Sequence, residues 1–154
     1  PEPPAEEGNA PTATYVDDAG NDLFKSGIAF TTGGPDKTAK TISIKTPKGL
    51  KSMLVTIEAG NKGFQAAVEE MRFTNRELVG DEELESLLQA LGLQISMPVA
   101  GCTSYDFPIG TFYSLMDIYK ATDNGKSHIF KIKIIDNNNQ SMDVALSVTI
   151  NPEN

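Results

Sequence analysis

The residues that could carry covalent chemistry are few in this chain. A Ser/His/Asp hydrolase would need His128, the single histidine, which follows Ser127 at the start of an alternating strand pattern. No Gly-x-Ser-x-Gly motif, which positions the nucleophile of many hydrolases, occurs in the sequence. Cys102 is the single cysteine and has no base near it in the sequence, so we interpret it as a small apolar residue. Hydrolysis by a catalytic triad is therefore not predicted.

Paired carboxylates are a second route to catalysis, because two acids at a suitable separation can hydrolyse glycosidic bonds. The candidate groups are Asp17–Asp18, Glu69–Glu70, Asp81–Glu83, and Asp106 with Asp117. Adjacent acids on a helix point in different directions, and most such groups are solvated or cap a helix. We expect no enzyme, and a hydrolase of unfamiliar type stays the third alternative.

Two segments rich in side-chain oxygen atoms could bind a metal ion. The turn Asp136–Asn139 and the loop at Asp123 and Asn124 could offer oxygens to calcium, but neither matches an EF-hand loop. Asn and Asp are also common in hairpin turns because they tolerate left-handed backbone. We therefore prefer the interpretation as turns, and we expect no cofactor.

Aromatic side chains between residues 105 and 119 suggest a different function, since aromatic faces stack on sugars. The candidate glycan-stacking residues are Tyr105, Tyr113 and Tyr119. The chain has no tryptophan, and a closed core must use many of its aromatic residues. Carbohydrate binding is thus kept as an alternative to a structural role.

The elements that would position these residues are mostly strands. Side-chain alternation with a period of two predicts strands at Ile28–Thr31, Thr38–Lys45 and Ser52–Glu58, with the last two forming an antiparallel hairpin. The same pattern predicts a second hairpin from Ile129–Ile135 and Met142–Ile150. Two sheets with alternating apolar faces are the expected core.

Helical spacing appears in the middle of the chain. A two-helix insertion is predicted at about residues 63–92, with Asp81 as the N-cap of the second helix. We expect this second helix to cover the strands with one apolar stripe, formed by Leu84, Leu87, Leu88 and Leu91. A short helical turn is predicted at about residues 112–120.

The composition limits the classes of binding partner and the ways in which the chain could contact a membrane. With 13 basic and 21 acidic residues the net charge is -8, which opposes binding to nucleic acids and to anionic lipid. No apolar run reaches the roughly 18 residues of a membrane helix. Residues 1–22 are predicted as a flexible tether rich in Pro and Glu, residues 23–151 as the folded domain, and residues 152–154 as a tail.

The order of segments in the middle of the chain carries a family resemblance. A strand ends near Ile57–Glu58, helical segments follow at Glu70–Met71 and Glu83–Leu93, and Val99–Ser104 leads to a strand with Phe107. Over about residues 36–151 this order resembles modules of surface lipoproteins from Gram-negative gut anaerobes. The resemblance implies an immunoglobulin-like β-sandwich with a helical insertion, which is exported and held at the outer-membrane surface by a lipidated cysteine upstream.

The resemblance implies no enzymatic activity and no particular binding residue. We therefore predict a mainly β, non-enzymatic, extracytoplasmic module that acts as a spacer or a protein-interaction domain. Its expected partner is an unknown protein or glycan at the cell surface, and carbohydrate capture is the alternative function. Contact with a membrane is expected only through the upstream lipid anchor.

Overall fold

The computed structural model describes residues 9–31, 41–93, 95–118 and 126–151. The strands in these ranges are β1 (Thr12–Thr14), β2 (Ile28–Thr31), β3 (Ile42–Lys45), β4 (Leu50–Glu58), β5 (Arg76–Glu77), β6 (Ser104–Phe107), β7 (Ser127–Asp136) and β8 (Ser141–Asn151). The helices are α1 (Leu23–Ser26), α2 (Lys62–Glu70), α3 (Glu82–Ala90) and α4 (Ile109–Ile118). The fold is mainly β, as the sequence predicts.

The described strands form two sheets, an arrangement compatible with a β-sandwich. One sheet has the order β1-β3-β6, and the other has the order β2-β8-β7-β4-β5. All neighbouring strands are antiparallel except β2 and β8, which run parallel. The sheets therefore join segments from both ends of the described chain.

The longer sheet has an alternating core face. On β7, Phe130, Ile132 and Ile134 are buried, and the intervening lysines Lys131 and Lys133 are exposed. The predicted pairing of Ile129–Ile135 with Met142–Ile150 is confirmed, because β7 and β8 pair in this register over nine residues each. Burial on one face of each strand accounts for this register, since a slip of one residue would turn every apolar side chain toward water.

The predicted hairpin between Thr38–Lys45 and Ser52–Glu58 is wrong. β3 pairs with β1 and β6 in one sheet, whereas β4 pairs with β5 and β7 in the other. The short turn at Pro47–Gly49 carries the chain from one sheet to the other. Alternation specifies the buried face of a strand but not its partner, so the two pairings could not be distinguished in the sequence.

The predicted boundary at residue 22 is also wrong, because the folded unit includes residues on its N-terminal side. β1 begins at Thr12 and pairs with β3. Tyr15 is 1% exposed, and its hydroxyl group hydrogen-bonds to the hydroxyl of Tyr113 at 2.8 Å. Residues 1–8 and 152–154 lie outside the described residues.

The helices of the middle region lie between β4 and β6 in the chain, with β5 between them. Asn61 caps α2 and Asp81 caps α3, each by accepting a backbone N–H in the first turn.

The apolar stripe predicted for α3 includes two leucines that the structure does not bury. Leu84 and Leu88 are fully buried, but Leu87 and Leu91 are 41% and 42% exposed because they lie at the margin of the packed face. The predicted turn at about 112–120 belongs to the longer helix α4, and residues 119–120 lie outside the described residues.

No helix in the described ranges has the length and apolar character that a membrane crossing requires.

Candidate functional site

Three loops meet at one end of the two sheets, and we call this surface the three-loop end: residues 46–49, 99–103 and 136–140. Backbone hydrogen bonds join them. The N–H of Thr46 donates to the carbonyl of Thr103 at 2.8 Å, and the N–H of Asn137 donates to the carbonyl of Gly49 at 2.9 Å. Leu50 accepts from the N–H of Gly101 at 2.8 Å. The three segments therefore form one connected surface.

Local backbone chemistry explains how the loops fit so closely. Gly49 has a φ of +92°, and a Cβ there would lie 2.5 Å from the side-chain nitrogen of Asn137. The positive φ favours glycine, and a Cβ at this position would also displace the exposed Asn137 side chain. In the β7–β8 turn, one carboxylate oxygen of Asp136 accepts the N–H groups of Asn138 and Gln140, both at 2.9 Å. Asn139 takes a φ of +61°, which asparagine tolerates better than most residues.

The outward side of the three-loop end combines apolar and amide groups. Val99 is 70% exposed. The side chains of Asn137, Asn138 and Asn139 are exposed, and the Lys51 ammonium donates to Asn139 Oδ1 at 2.8 Å. Amides both donate and accept hydrogen bonds, so they can pair with a peptide backbone or with hydroxyl groups. The sequence alone does not indicate this surface, because the three loops come from distant parts of the chain.

Of the three candidate glycan-stacking tyrosines, the two that the structure describes, Tyr105 and Tyr113, do not form an exposed aromatic face. Tyr113 is fully buried, so the prediction that it stacks on a sugar is wrong. Its burial, together with the neighbouring Tyr15 hydroxyl, raises its pKa above the ordinary tyrosine value. Tyr105 is partly buried, and its hydroxyl donates to the carbonyl of Ser96 at 2.6 Å. Tyr119 lies outside the described residues.

The pKa of Tyr105 is raised as well. Burial is the largest cause, and the negative charges of the nearby Cys102 and Glu85 would raise the pKa further. Cys102 itself is partly buried, and its carbonyl accepts from Leu50 N–H and from the Thr46 hydroxyl, each at 2.8 Å. Both residues are thus partly buried, Cys102 within the loop at 99–103 and Tyr105 in the strand that follows it.

His128 and Ser127 face opposite sides of β7. His128 is fully buried; its Nδ1 accepts the N–H of Gly60 at 2.8 Å, and its ring packs at a steep angle on Phe64 with centroids 5.0 Å apart. The Ser127 hydroxyl bonds to Thr149 on the exposed side of the sheet, at 2.8 Å. These two side chains cannot act together on one substrate.

Some of the acidic groups singled out in the sequence have local structural partners. Asp17 accepts from Ala19 and Asn21 within its own loop, and these hydrogen bonds lower its pKa. Glu83 pairs with Arg72 at the surface. Asp106 is exposed on β6, and the Asp117 side chain is not among those described. Within the described ranges, no three His, Cys, Asp or Glu side chains are grouped as metal ligands.

A largely buried hydrogen-bond network around Arg76 is a second feature that the sequence does not indicate. Arg76 Nε donates to Asp81 Oδ2 at 2.7 Å, and another guanidinium nitrogen donates to the carbonyl of Met71 at 2.6 Å. The Arg76 and Asp81 side chains are each 11% exposed. Partial burial raises the pKa of Asp81, but the hydrogen bonds from Arg76 and Leu84 N–H and the charges of the arginines lower it more, so it ends below the ordinary value.

The enclosed cavity of the core is too small for a ligand. A cavity of about 20 Å³ lies between α2, α4 and the longer sheet, lined by Phe64, Met71, Phe112 and Met116 among others. Pockets for small molecules usually enclose about 300–1,000 Å³. This cavity holds at most about one water molecule and belongs to the core.

Comparison with protein-family models, with curated proteins and with solved structures found no match to this chain. The geometry of the described residues is therefore the basis for the function proposed below.

Proposed function

We propose that the chain is a non-enzymatic, immunoglobulin-like interaction module that binds another protein through the three-loop end. The observation that carries this proposal is that an exposed apolar residue, Val99, and three exposed asparagines, residues 137–139, lie on loops that backbone hydrogen bonds join. Binding residues are often found on loops that a rigid scaffold positions. Preorganised loops also lose little entropy when a partner binds.

The strand order supports the immunoglobulin-like assignment. In that fold, strands A, B and E share one sheet and strands C, F and G share the other. In chain order, β1, β3 and β6 take the positions of A, B and E, whereas β4, β7 and β8 take those of C, F and G. α2 and α3 then occupy the connection between C and E, where we place the helical insertion.

Protein binding fits the chemistry of the surface better than carbohydrate binding. Protein interfaces combine apolar and polar groups, and the three-loop end supplies an exposed apolar side chain, Val99, and the exposed amides of residues 137–139. Stacking on sugars would require exposed aromatic faces, but Tyr113 is buried and Tyr105 is partly covered. A simple spacer, the other role that we consider, would need no partner at this surface.

We further propose that the module is displayed at the outer-membrane surface as part of a lipoprotein. The support is the resemblance of residues 36–151 to surface modules described above. Protease treatment of intact cells tests this location: we expect the module to be digested before the cells are lysed. Digestion only after lysis would contradict it.

Site-specific crosslinking tests the binding surface. A photoreactive residue at Val99 is expected to crosslink to one defined partner in cells that carry the native protein. The matched control is the same residue at Ala66, an exposed small residue on α2. The substitution Asn138→Ala should weaken capture from position 99 without changing the thermal stability.

Equal crosslinking from positions 66 and 99 would contradict the proposed surface. A glycan array distinguishes the alternative function. Glycan binding that is lost in Tyr105→Ala but retained in Val99→Asp would favour carbohydrate capture over protein binding.

A further inference from the structure

Two buried oxygen atoms beneath the three-loop end have no hydrogen-bond donor among the described residues. They are Asp136 Oδ2 and Gln140 Oε1. Asp136 is fully buried, and only its other carboxylate oxygen is bonded, to two backbone N–H groups. A buried carboxylate oxygen without a partner is costly, so this arrangement requires an explanation.

The register of the hairpin brings the two side chains together. Ile135 pairs with Ser141, and Asp136 N–H donates to the Gln140 carbonyl at 2.9 Å, so Asp136 and Gln140 face each other as the next pair. Directly opposed residues have Cβ atoms about 4.5–5.5 Å apart on the same face of a sheet. That face is the core side, because Asp136 follows the buried Ile134 at a spacing of two residues.

Among the described residues, no cation of the protein balances the charge of Asp136. The ion pairs in these ranges join Arg72, Arg76 and Lys131 to other acids. Lys51, whose ammonium group reaches this loop, donates to Asn139 instead. One carboxylate oxygen and one amide oxygen are therefore both buried on opposed residues of the hairpin, and no side-chain cation in the described ranges pairs with the carboxylate.

From this geometry we propose that the β7–β8 hairpin binds one hard cation, sodium or calcium, between Asp136 Oδ2 and Gln140 Oε1. Carboxylate and amide oxygens are the ligands that such cations take in proteins, with backbone carbonyls and water completing the shell. The cation balances the carboxylate charge and supplies a partner to both oxygens. This site lies on the core side of the loop, so it is separate from the protein-binding surface proposed above.

Two cation-free arrangements would also satisfy both oxygens. In one, Asp136 is protonated and donates to Gln140 Oε1. In the other, the Gln140 amide is turned so that its nitrogen donates to Asp136 Oδ2. Neither arrangement makes the stability of the protein depend on sodium or calcium, so the alternatives can be distinguished by experiment.

Thermal unfolding of the full chain at constant ionic strength provides the test. The protein is first treated with a chelator in tetramethylammonium chloride, and sodium chloride or calcium chloride then replaces part of that salt. We expect one of the two cations to raise Tm by about 3 °C or more at ten times its Kd. The cation that gives the larger shift identifies the preferred occupant.

Asp136→Asn should abolish the shift, whereas the control Asp143→Asn should keep it, because Asp143 is an exposed acid on the neighbouring strand. Gln140→Leu is the second variant, in case Asp136→Asn does not fold, and it should reduce the shift. A Tm of the parent protein that neither cation changes would overturn the proposal. An equal shift in the parent protein and in Asp136→Asn would overturn it as well.

Discussion

Two buried tyrosines connect the N-terminal strand to α4. Tyr15 follows β1, Tyr113 lies in α4, and their hydroxyl groups are 2.8 Å apart. Phe24 packs on the Tyr15 ring and Phe30 packs on the Tyr113 ring, with centroids 5.9 and 5.3 Å apart. The pair therefore holds residues before β2 against the centre of the fold, which is the physical reason that the folded unit begins before residue 22.

Alkaline pH should weaken this contact. Burial raises the pKa values of Tyr15 and Tyr113 above the ordinary value of about 10, so the folded state favours their neutral forms. The stabilising effect is complete below about pH 10 and is lost as the pH rises further, because the unfolded chain releases these protons more readily. Urea unfolding at pH 8, 10 and 11 should show decreasing stability.

Tyr113→Phe serves as the test variant at neutral pH. It removes one buried hydrogen bond and should lower the free energy of unfolding by about 1 kcal/mol. Tyr105→Phe is the control, because the hydrogen bond of Tyr105 lies in an exposed setting. Equal losses in the two variants would contradict the role assigned to the buried pair.

Among the elements, α2, β5 and α3 are held together by one side chain. Arg76 on β5 donates to the Met71 carbonyl just after α2 and to Asp81, the N-cap of α3. Its guanidinium group also lies 5.8 Å from the centroid of the Phe73 ring. A single residue thus positions both helices against the edge of the longer sheet.

Arg76→Met should lower the free energy of unfolding by about 2–3 kcal/mol, because it leaves the Asp81 carboxylate without its buried partner. Arg72→Met is the matched control. Arg72 and Glu83 form an exposed pair, so its loss should cost less than about 1 kcal/mol. Chemical denaturation of both variants measures the difference, and similar losses would contradict this assignment.

The acid dependence of the Arg76 network has a defined sign. The pKa of Asp81 is lowered in the folded state, so its contribution is present above about pH 4 and is lost as the pH falls. Arg76→Met should therefore show a shallower loss of stability in acid than the parent protein.

Individual elements were easier to predict than their partners. Strong alternation made β4, β7 and β8 recognisable, and the predicted N-cap Asp81 stands where α3 begins. The pairing of β3 was mispredicted because a four-residue turn serves a hairpin and a change of sheet equally well. β1 escaped detection because its three residues include only one apolar side chain, Ala13.

The candidate site could not be predicted for a related reason. Residue types such as asparagine and glycine indicate turns at Gly49, Gly101 and Asn139, but they do not indicate which turns lie side by side. Only the pairing of the strands brings these loops together. The burial of Tyr113 could not be predicted either, because a sequence does not show whether a single aromatic side chain is exposed or buried.

At the level of the whole molecule, the three-loop end joins both sheets. The turn at residues 46–49 leaves β3 of the smaller sheet and enters β4 of the longer one, and the β7–β8 turn packs on it. The loop at 99–103 precedes β6, which returns the chain to the smaller sheet. The spacing of the two sheets at this end therefore depends on close backbone contacts.

Gly49→Ala should disturb this junction. Alanine disfavours this backbone conformation, and its Cβ would lie 2.5 Å from the side-chain nitrogen of Asn137, which would have to move; a loss of about 1–3 kcal/mol is expected. Gly20→Ala is the control for conformation alone, since Gly20 also has a positive φ but a Cβ added there would meet no atom within 4 Å. Thermal unfolding should show the larger decrease for Gly49→Ala; equal decreases would contradict a steric role.

The parallel pairing of β2 with β8 has a mechanical consequence. The chain enters β2 at Ile28, beside Val148, and leaves β8 at Asn151, beside Thr31, so the two connections depart in opposite directions. Tension between these two points would load the hydrogen bonds of the pair in shear, so that they resist together instead of opening one after another. A stretching force on the N-terminal side would reach this pair of strands only after the pairing of β1 with β3 had yielded, because β1 precedes β2 in the chain.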